Sequence, residues 1–166
     1  MAEISVSVLI SIISNGIKAI NTIVIKKTEE KAVLEEVLEE LKLNMKRINE
    51  NYLIKKCSVE SIISVLSTNS MDEAEKLRKR RKVDLNKIKS GLIELDSFIN
   101  KHQIRYYQNY DTEKLLLKIR EKIHDIQDIK KLHFVDKKWE TNVNPKRRMQ
   151  NLMDLFALAS KHLIKK

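Results

Sequence analysis

Only two glycines and one proline interrupt 166 residues, and between those breaks apolar side chains recur at helical spacing for almost the whole length. Glycine and proline end helices and make tight turns possible, so a chain this poor in both has few places for hairpins or phosphate-cradling loops. The spacing predicts an all-α fold, an antiparallel helical bundle of about five long helices plus one short helix, with residues 1–166 as a single domain. Charged residues make up 34% of the chain and aromatics only 5%. That balance suits amphipathic helices whose Leu and Ile fill a seam while Lys and Glu coat the outside.

The first apolar segment, Ile4 to Ile25, begins with strand-like alternation, but the stripe Val6, Leu9, Ile13, Ile17, Ile20, Val24 then imposes a helical period. A second row, Val8, Ile12, Ile23 and Ile25, puts apolar residues on more than one face, which predicts a helix deep in the bundle or, alternatively, one lying on a lipid surface. Ser11, Ser14, Asn15, Lys18, Asn21 and Thr22 break the run too often for a membrane span, and Glu3 stands where a secretory leader would be basic.

Thr28 is a candidate N-cap for the second helix, whose Leu34, Leu38, Leu41, Met45, Ile48 and Tyr52 follow heptad steps as far as Lys55 and Lys56. A short apolar turn follows from Ser58. Ser70 with Glu73 reads as a capping box opening the longest helix, to about His102, with the seam Leu77, Leu85, Ile88, Leu92, Leu95, Ile99. A break near Lys82 is the alternative, with Asp84 capping a separate helix. On that seam, Leu92→Asp is expected to unfold the domain. Asp111 or Thr112 caps the next helix, which runs to Leu132; residues 133–144 read as a loop, in which Trp139 beside Phe134 is expected to anchor the segment to the bundle. Asn144 followed by Pro145 starts the last helix, lined by Met149, Leu152, Met153, Phe156, Ala159 and Leu163.

Net charge is +10, and its distribution is uneven: residues 145–166 hold six Lys or Arg against one Asp. Three clusters are candidate anion sites. Lys76 to Lys82 holds six basic residues in seven, of which Lys76 and Lys79 have acids four residues earlier at Asp72 and Glu75, leaving Arg78, Arg80, Arg81 and Lys82 without nearby acids. Lys146, Arg147 and Arg148 occupy the first turn of the last helix, where the dipole disfavours cations unless an anion is to be bound, with Asp136 and Glu140 as potential neutralising neighbours. Arg105 with Tyr106, Tyr107 and Tyr110 mixes cations and rings, a pairing that grips single-stranded nucleic acid, or else the tyrosines cover the end of the bundle.

Catalytic and metal chemistry find little footing. Glu121, His124 and Asp128 have ligand types at helical spacing, but a carboxylate-bridged centre needs a second Glu-x-x-His and the chain has none. Arg120 and His124 have three residues between them where bundle ribonucleases of the HEPN family place four to six between their Arg and His, so that motif is not met. No metal and no cofactor is predicted, no small-molecule substrate either, and the chain reads as a non-enzyme. The lone Cys57 cannot form an intrachain disulfide, which suits a reducing, cytoplasmic compartment.

The resulting expectation is an interaction module that binds a protein partner or forms a homo-oligomer through a helix face, its basic surface contributing. Two alternatives use the same cations: binding an acidic membrane surface, or binding nucleic acid. In layout, the apolar first helix followed by a basic bundle looks like the four-helix executioner domains of cell-death proteins, a resemblance that implies membrane action for the first helix.

Overall fold

The computed structural model describes residues 5–25, 30–94, 106–136 and 138–164. Among these the chain forms six α-helices and one small hairpin of two two-residue strands, an all-α fold. Helix α1 is Val6–Ile20, started by the Ser5 hydroxyl, which accepts from the Val8 N–H. Its buried strip is Leu9, Ile13, Gly16 and Ile20, while Val6 and Val24, the two ends of the apolar stripe, are 44% and 89% exposed. No helix among the described residues is long and apolar enough to cross a membrane.

Helix α2, Lys31–Lys46, runs on without a break into a π-helical stretch, Arg47–Ile54. Its inward row Leu34, Leu38, Leu41, Met45 and Ile48 is buried, as the heptad steps predict, whereas Thr28 lies outside the described residues. Helix α3, Val59–Val65, opens with the Ser58 hydroxyl accepting from the Ser61 N–H.

Helix α4, Asn69–Lys79, departs from the sequence reading at both ends. No Ser70–Glu73 box forms; the buried Glu40 of α2 caps the helix instead, accepting from the Ser70 N–H at 3.2 Å, the Met71 N–H at 2.9 Å and the Ser67 hydroxyl at 2.6 Å. A carboxylate from a neighbouring helix thus satisfies the open donors of the first turn and complements the dipole. At the other end the helix stops after eleven residues. Arg81 takes a left-handed φ of +57°, and Lys82 N–H reaches back to Leu77 O at 2.9 Å, a closure that ends helices.

The chain then makes a short 3₁₀ turn, Leu85–Lys87, capped by the Asp84 carboxylate, and becomes extended, with Leu92 bridging to Asp111. The predicted long helix is therefore two pieces at most before residue 95, and Leu95 to Arg105 lie outside the described residues. Leu85, Ile88 and Ile93 are buried, but Leu92 is 60% exposed, so the seam ends before it and Leu92→Asp is no longer expected to unfold the domain.

Helix α5, Thr112–His133, is capped by Asp111, which accepts from the Lys114 N–H at 2.8 Å. The segment read as a loop holds a hairpin, β1 Phe134–Val135 with β2 Lys138–Trp139, in antiparallel register Phe134↔Trp139. Trp139 anchors it, its ring 5.1 Å from that of Phe134 and its indole N–H donating to Glu60 of α3. Helix α6, Pro145–Ile164, begins as predicted, with Asn144 accepting from the Arg147 N–H at 2.9 Å.

Helix α6 is the centre of the bundle. Six consecutive residues, Leu155 to Ser160, are buried, which is possible only for a helix enclosed on every side along that stretch. Helices α1 and α5 pack along it and α3 touches its flank; α2 lies against α1 and α4, and α4 against α5. Side-chain pairs fix α4 and α5 as antiparallel, since Asp72 meets Arg120 and His124 while Arg78 meets Glu113.

Candidate functional site

The basic run at the end of α4 divides into a spent part and an exposed part. Arg78, read from the sequence as lacking acidic neighbours, is held by Glu75 through Nε at 2.6 Å and Nη2 at 3.1 Å and by Glu113 of α5 through Nη1 at 3.0 Å. The missed partners are Glu75 at i−3, which curls back on the same face, and Glu113, which only folding brings near. The hydrogen bonds and charge from Arg78 hold the Glu75 carboxyl below its ordinary pKa despite burial. Lys79 pairs with Glu75 at 3.4 Å as its spacing predicts, while Lys76 pairs with Glu73 because Asp72 is engaged elsewhere. Arg80, Arg81 and Lys82 are exposed and make no ion pair among the described residues.

Lys146, Arg147 and Arg148 are exposed on the first turn of α6, likewise without an ion pair among the described residues. Glu140, a potential neutraliser, is taken by His133 at 2.8 Å. These cations follow the hairpin at the C-terminal end of α5, whereas Arg80 to Lys82 follow Arg78, which is tied to the start of α5. The two groups thus lie towards opposite ends of α5, a helix of 22 residues about 30 Å long. Arg105 lies outside the described residues, so its place relative to either is not described.

Of the three tyrosines, Tyr106 is 71% exposed. Tyr107 and Tyr110 are half-buried and meet edge to face, centroids 5.5 Å apart. Burial, with smaller contributions from Asp154 and Tyr110, pushes the Tyr107 hydroxyl up to about 12. Tyr110 O accepts from the Ile93 N–H at 2.7 Å, so this pair closes the extended segment over the bundle. Two of the three rings are thereby placed for packing.

Folding also assembles a constellation that spacing did not reveal. Asp72 of α4 accepts from Arg120 Nε at 2.5 Å and His124 Nε2 at 2.9 Å on one oxygen, and from the Thr68 hydroxyl at 2.9 Å on the other. Burial acts to raise the Asp72 pKa, but the hydrogen bonds from His124, Thr68 and Arg120 outweigh it and leave the carboxyl below its ordinary value. Arg120 and His124 lie one turn apart on α5, the only sequence signal for the cluster. Chemically it is a four-membered clamp joining α4 to α5. The Glu121, His124, Asp128 set is not assembled: Glu121 pairs with Lys118 at 2.9 Å and Asp128 with Lys131 at 3.0 Å. No cluster of three metal-ligating side chains occurs among the described residues.

A second polar group is buried. Thr112 Oγ1 donates to Lys89 O at 2.5 Å, so the 2.7 Å contact with His162 Nε2 must be a donation from the imidazole. Burial, reinforced by Lys89 and opposed by Asp111, pulls the His162 pKa below its ordinary value.

At the hairpin end a groove of about 470 Å³ opens between α3 and the last turns of α5, lined by Ile63, Ser64, Gln127, Lys130, Lys131 and Phe134. Gln127 and Lys130 build its wall: Gln127 Nε2 donates to Leu66 O, the open carbonyl at the end of α3, at 2.8 Å, and Lys130 Nζ donates to Glu60 O in its first turn at 3.0 Å and to the Ser64 hydroxyl. No protein-family model, no curated protein and no solved structure matches the chain.

Proposed function

We propose that the chain is a non-enzymatic helical-bundle interaction module, which binds a protein partner or a second copy of itself through a helix face, with basic edges adding affinity. The observation that carries this reading is the separation of its exposed cations. Arg80 to Lys82 and Lys146 to Arg148 stand towards opposite ends of α5 and do not merge into one compact basic patch. The side chains with catalytic chemistry, Asp72, His124 and His162, are spent on joining helices. Size-exclusion light scattering across a range of concentrations, with cross-linking in cell extract, tests it; an inert monomer that captures nothing would remove the reading. Steeply salt-dependent binding to an oligonucleotide, or flotation with acidic vesicles, would replace it with the corresponding rival.

A further inference from the structure

Of the eight buried polar residues among those described, four gather around one short helix: Glu40 and Asn44 of α2, Thr68 just before α4 and Glu75 within it. Glu75 is one of three residues that α4 buries, with Met71 and Ala74, so its eleven residues press a single large apolar side chain into the interior. The seven-residue α3 buries three, Val59, Ile62 and Ile63. What fastens α4 is a set of charged and polar clamps. Glu40 holds the Ser70 and Met71 N–H groups, and Asn44 exchanges two hydrogen bonds with the Ser67 backbone, donating at 2.6 Å and accepting at 2.9 Å. Asp72 takes Arg120 and His124 of α5, and Arg78 bridges Glu75 and Glu113.

The chain on either side is fastened differently. Leu66, just before this segment, and Val83, just after it, are buried in the core, and Leu85 and Ile88 follow. Each flank also carries a hinge: Leu66 leaves α3 with extended backbone, and Arg81 turns the chain out of α4 with its left-handed φ. Residues 67–82 are thus a polar-fastened stretch strung between two apolar anchors. A clamp of half-buried charges is close to balanced, because the cost of taking the groups out of water offsets most of the attraction between them. A helix that rests on such clamps, with one large apolar side chain behind them, has little holding it beyond their geometry. We propose that α4 is a strap that opens as one unit, residues 67–82 lifting off α2 and α5 while the other helices keep their packing around α6. Opening returns Glu40, Asn44, Glu113, Arg120 and His124 to solvent together. The flank between α2 and α5 then changes from a closed seam to an open, charged surface.

Native-state hydrogen exchange on the full chain, followed residue by residue in rising urea below the unfolding transition, reads the opening. The amides of residues 72–79 should exchange through one common event, about tenfold more readily than those of the buried stretch Leu155 to Ser160 in α6. Their urea dependence should be shallower, because lifting one helix exposes less surface than unfolding the domain. Asp72→Asn, which keeps the shape and removes the charge, should speed exchange of the α4 amides about tenfold. Arg78→Gln gives the same reading from the other end of the helix should that variant fail to fold. Gly16→Ala, a change where α1 crosses α6, should speed the α6 amides and leave those of α4 at the wild-type rate, since that crossing stays closed when α4 lifts. Amides of α4 that share the rate and urea dependence of α6 overturn the strap, as do amides that each exchange at a separate, urea-independent rate. So does Gly16→Ala speeding both helices equally, or clamp variants whose α4 amides keep the wild-type rate.

Discussion

Gly16 lies where α1 crosses α6, and a Cβ there would stand 2.3 Å from the Ser160 side chain and 2.8 Å from Met45 Cε. Met45 can swing aside, but Ser160 is fixed to the central helix and its hydroxyl is tied to Phe156 O at 2.7 Å. Gly16→Ala is accordingly expected to cost about 1–3 kcal/mol, seen as a lower urea midpoint. Arg81 makes the opposite case. Its left-handed φ of +57° costs a side-chain-bearing residue about 1–2 kcal/mol, part of which glycine returns as entropy in the unfolded chain. Arg81→Gly should therefore raise stability by roughly 0.5–1 kcal/mol with an unchanged m-value. Leu92, 60% exposed, gives the control: Leu92→Asp should shift stability by no more than about 0.5 kcal/mol. Neither Gly16 nor Leu92 was legible in the sequence. Helical spacing reports which side chains share a face, and it says nothing of how closely two helices approach or where a helix has already ended.

The elements whose ends are fixed locally were read well. Asp111 and the Asn144–Pro145 pair start α5 and α6 where the sequence puts them, because each cap is a contact between residues three apart. Helix α4 failed because its start is fixed from 30 residues away by Glu40 and its end by a left-handed arginine where pattern reading looks for glycine. Glu40→Ala would leave the Ser70 and Met71 N–H groups without their acceptor in a half-closed site. It is expected to cost about 1–3 kcal/mol and to speed hydrogen exchange at those two amides more than at the amides of α6. Glu40→Gln, which keeps an acceptor but loses the charge, should cost less. The candidate site shows the same division. Exposed cations such as Arg80 and Lys146 could be named from composition, whereas the Asp72 clamp joins residues 48 and 52 positions apart and carried only the one-turn spacing of Arg120 and His124 as a sign.

At the scale of the molecule, acid acts on the fold through two sets of groups. His162 has a folded pKa below its ordinary 6.5, so the unfolded chain takes up that proton first. Its contribution is constant above about pH 6.5 and declines as the pH falls below that value. Asp72 and Glu75, both held below their ordinary 3.8 and 4.5, contribute stability that is present above those values and lost as the pH falls through them. Urea unfolding between pH 8 and pH 5 should show a decline confined to the acid half, and His162→Gln should flatten it. A slope of equal size in that variant would assign the effect elsewhere.

The order of elements along the chain gives the enclosed last helix a further meaning. Synthesis delivers α1 to α5 before α6, yet α6 is what α1 and α5 close around. A nascent polypeptide halted before residue 145 has nowhere to put Leu9, Ile13, Ile119 and Ile123 except against one another or against a chaperone. Emergence of the twenty residues of α6 is then the event that lets the domain fold, and until it happens the oily trough waiting for that helix is open to any passing apolar helix.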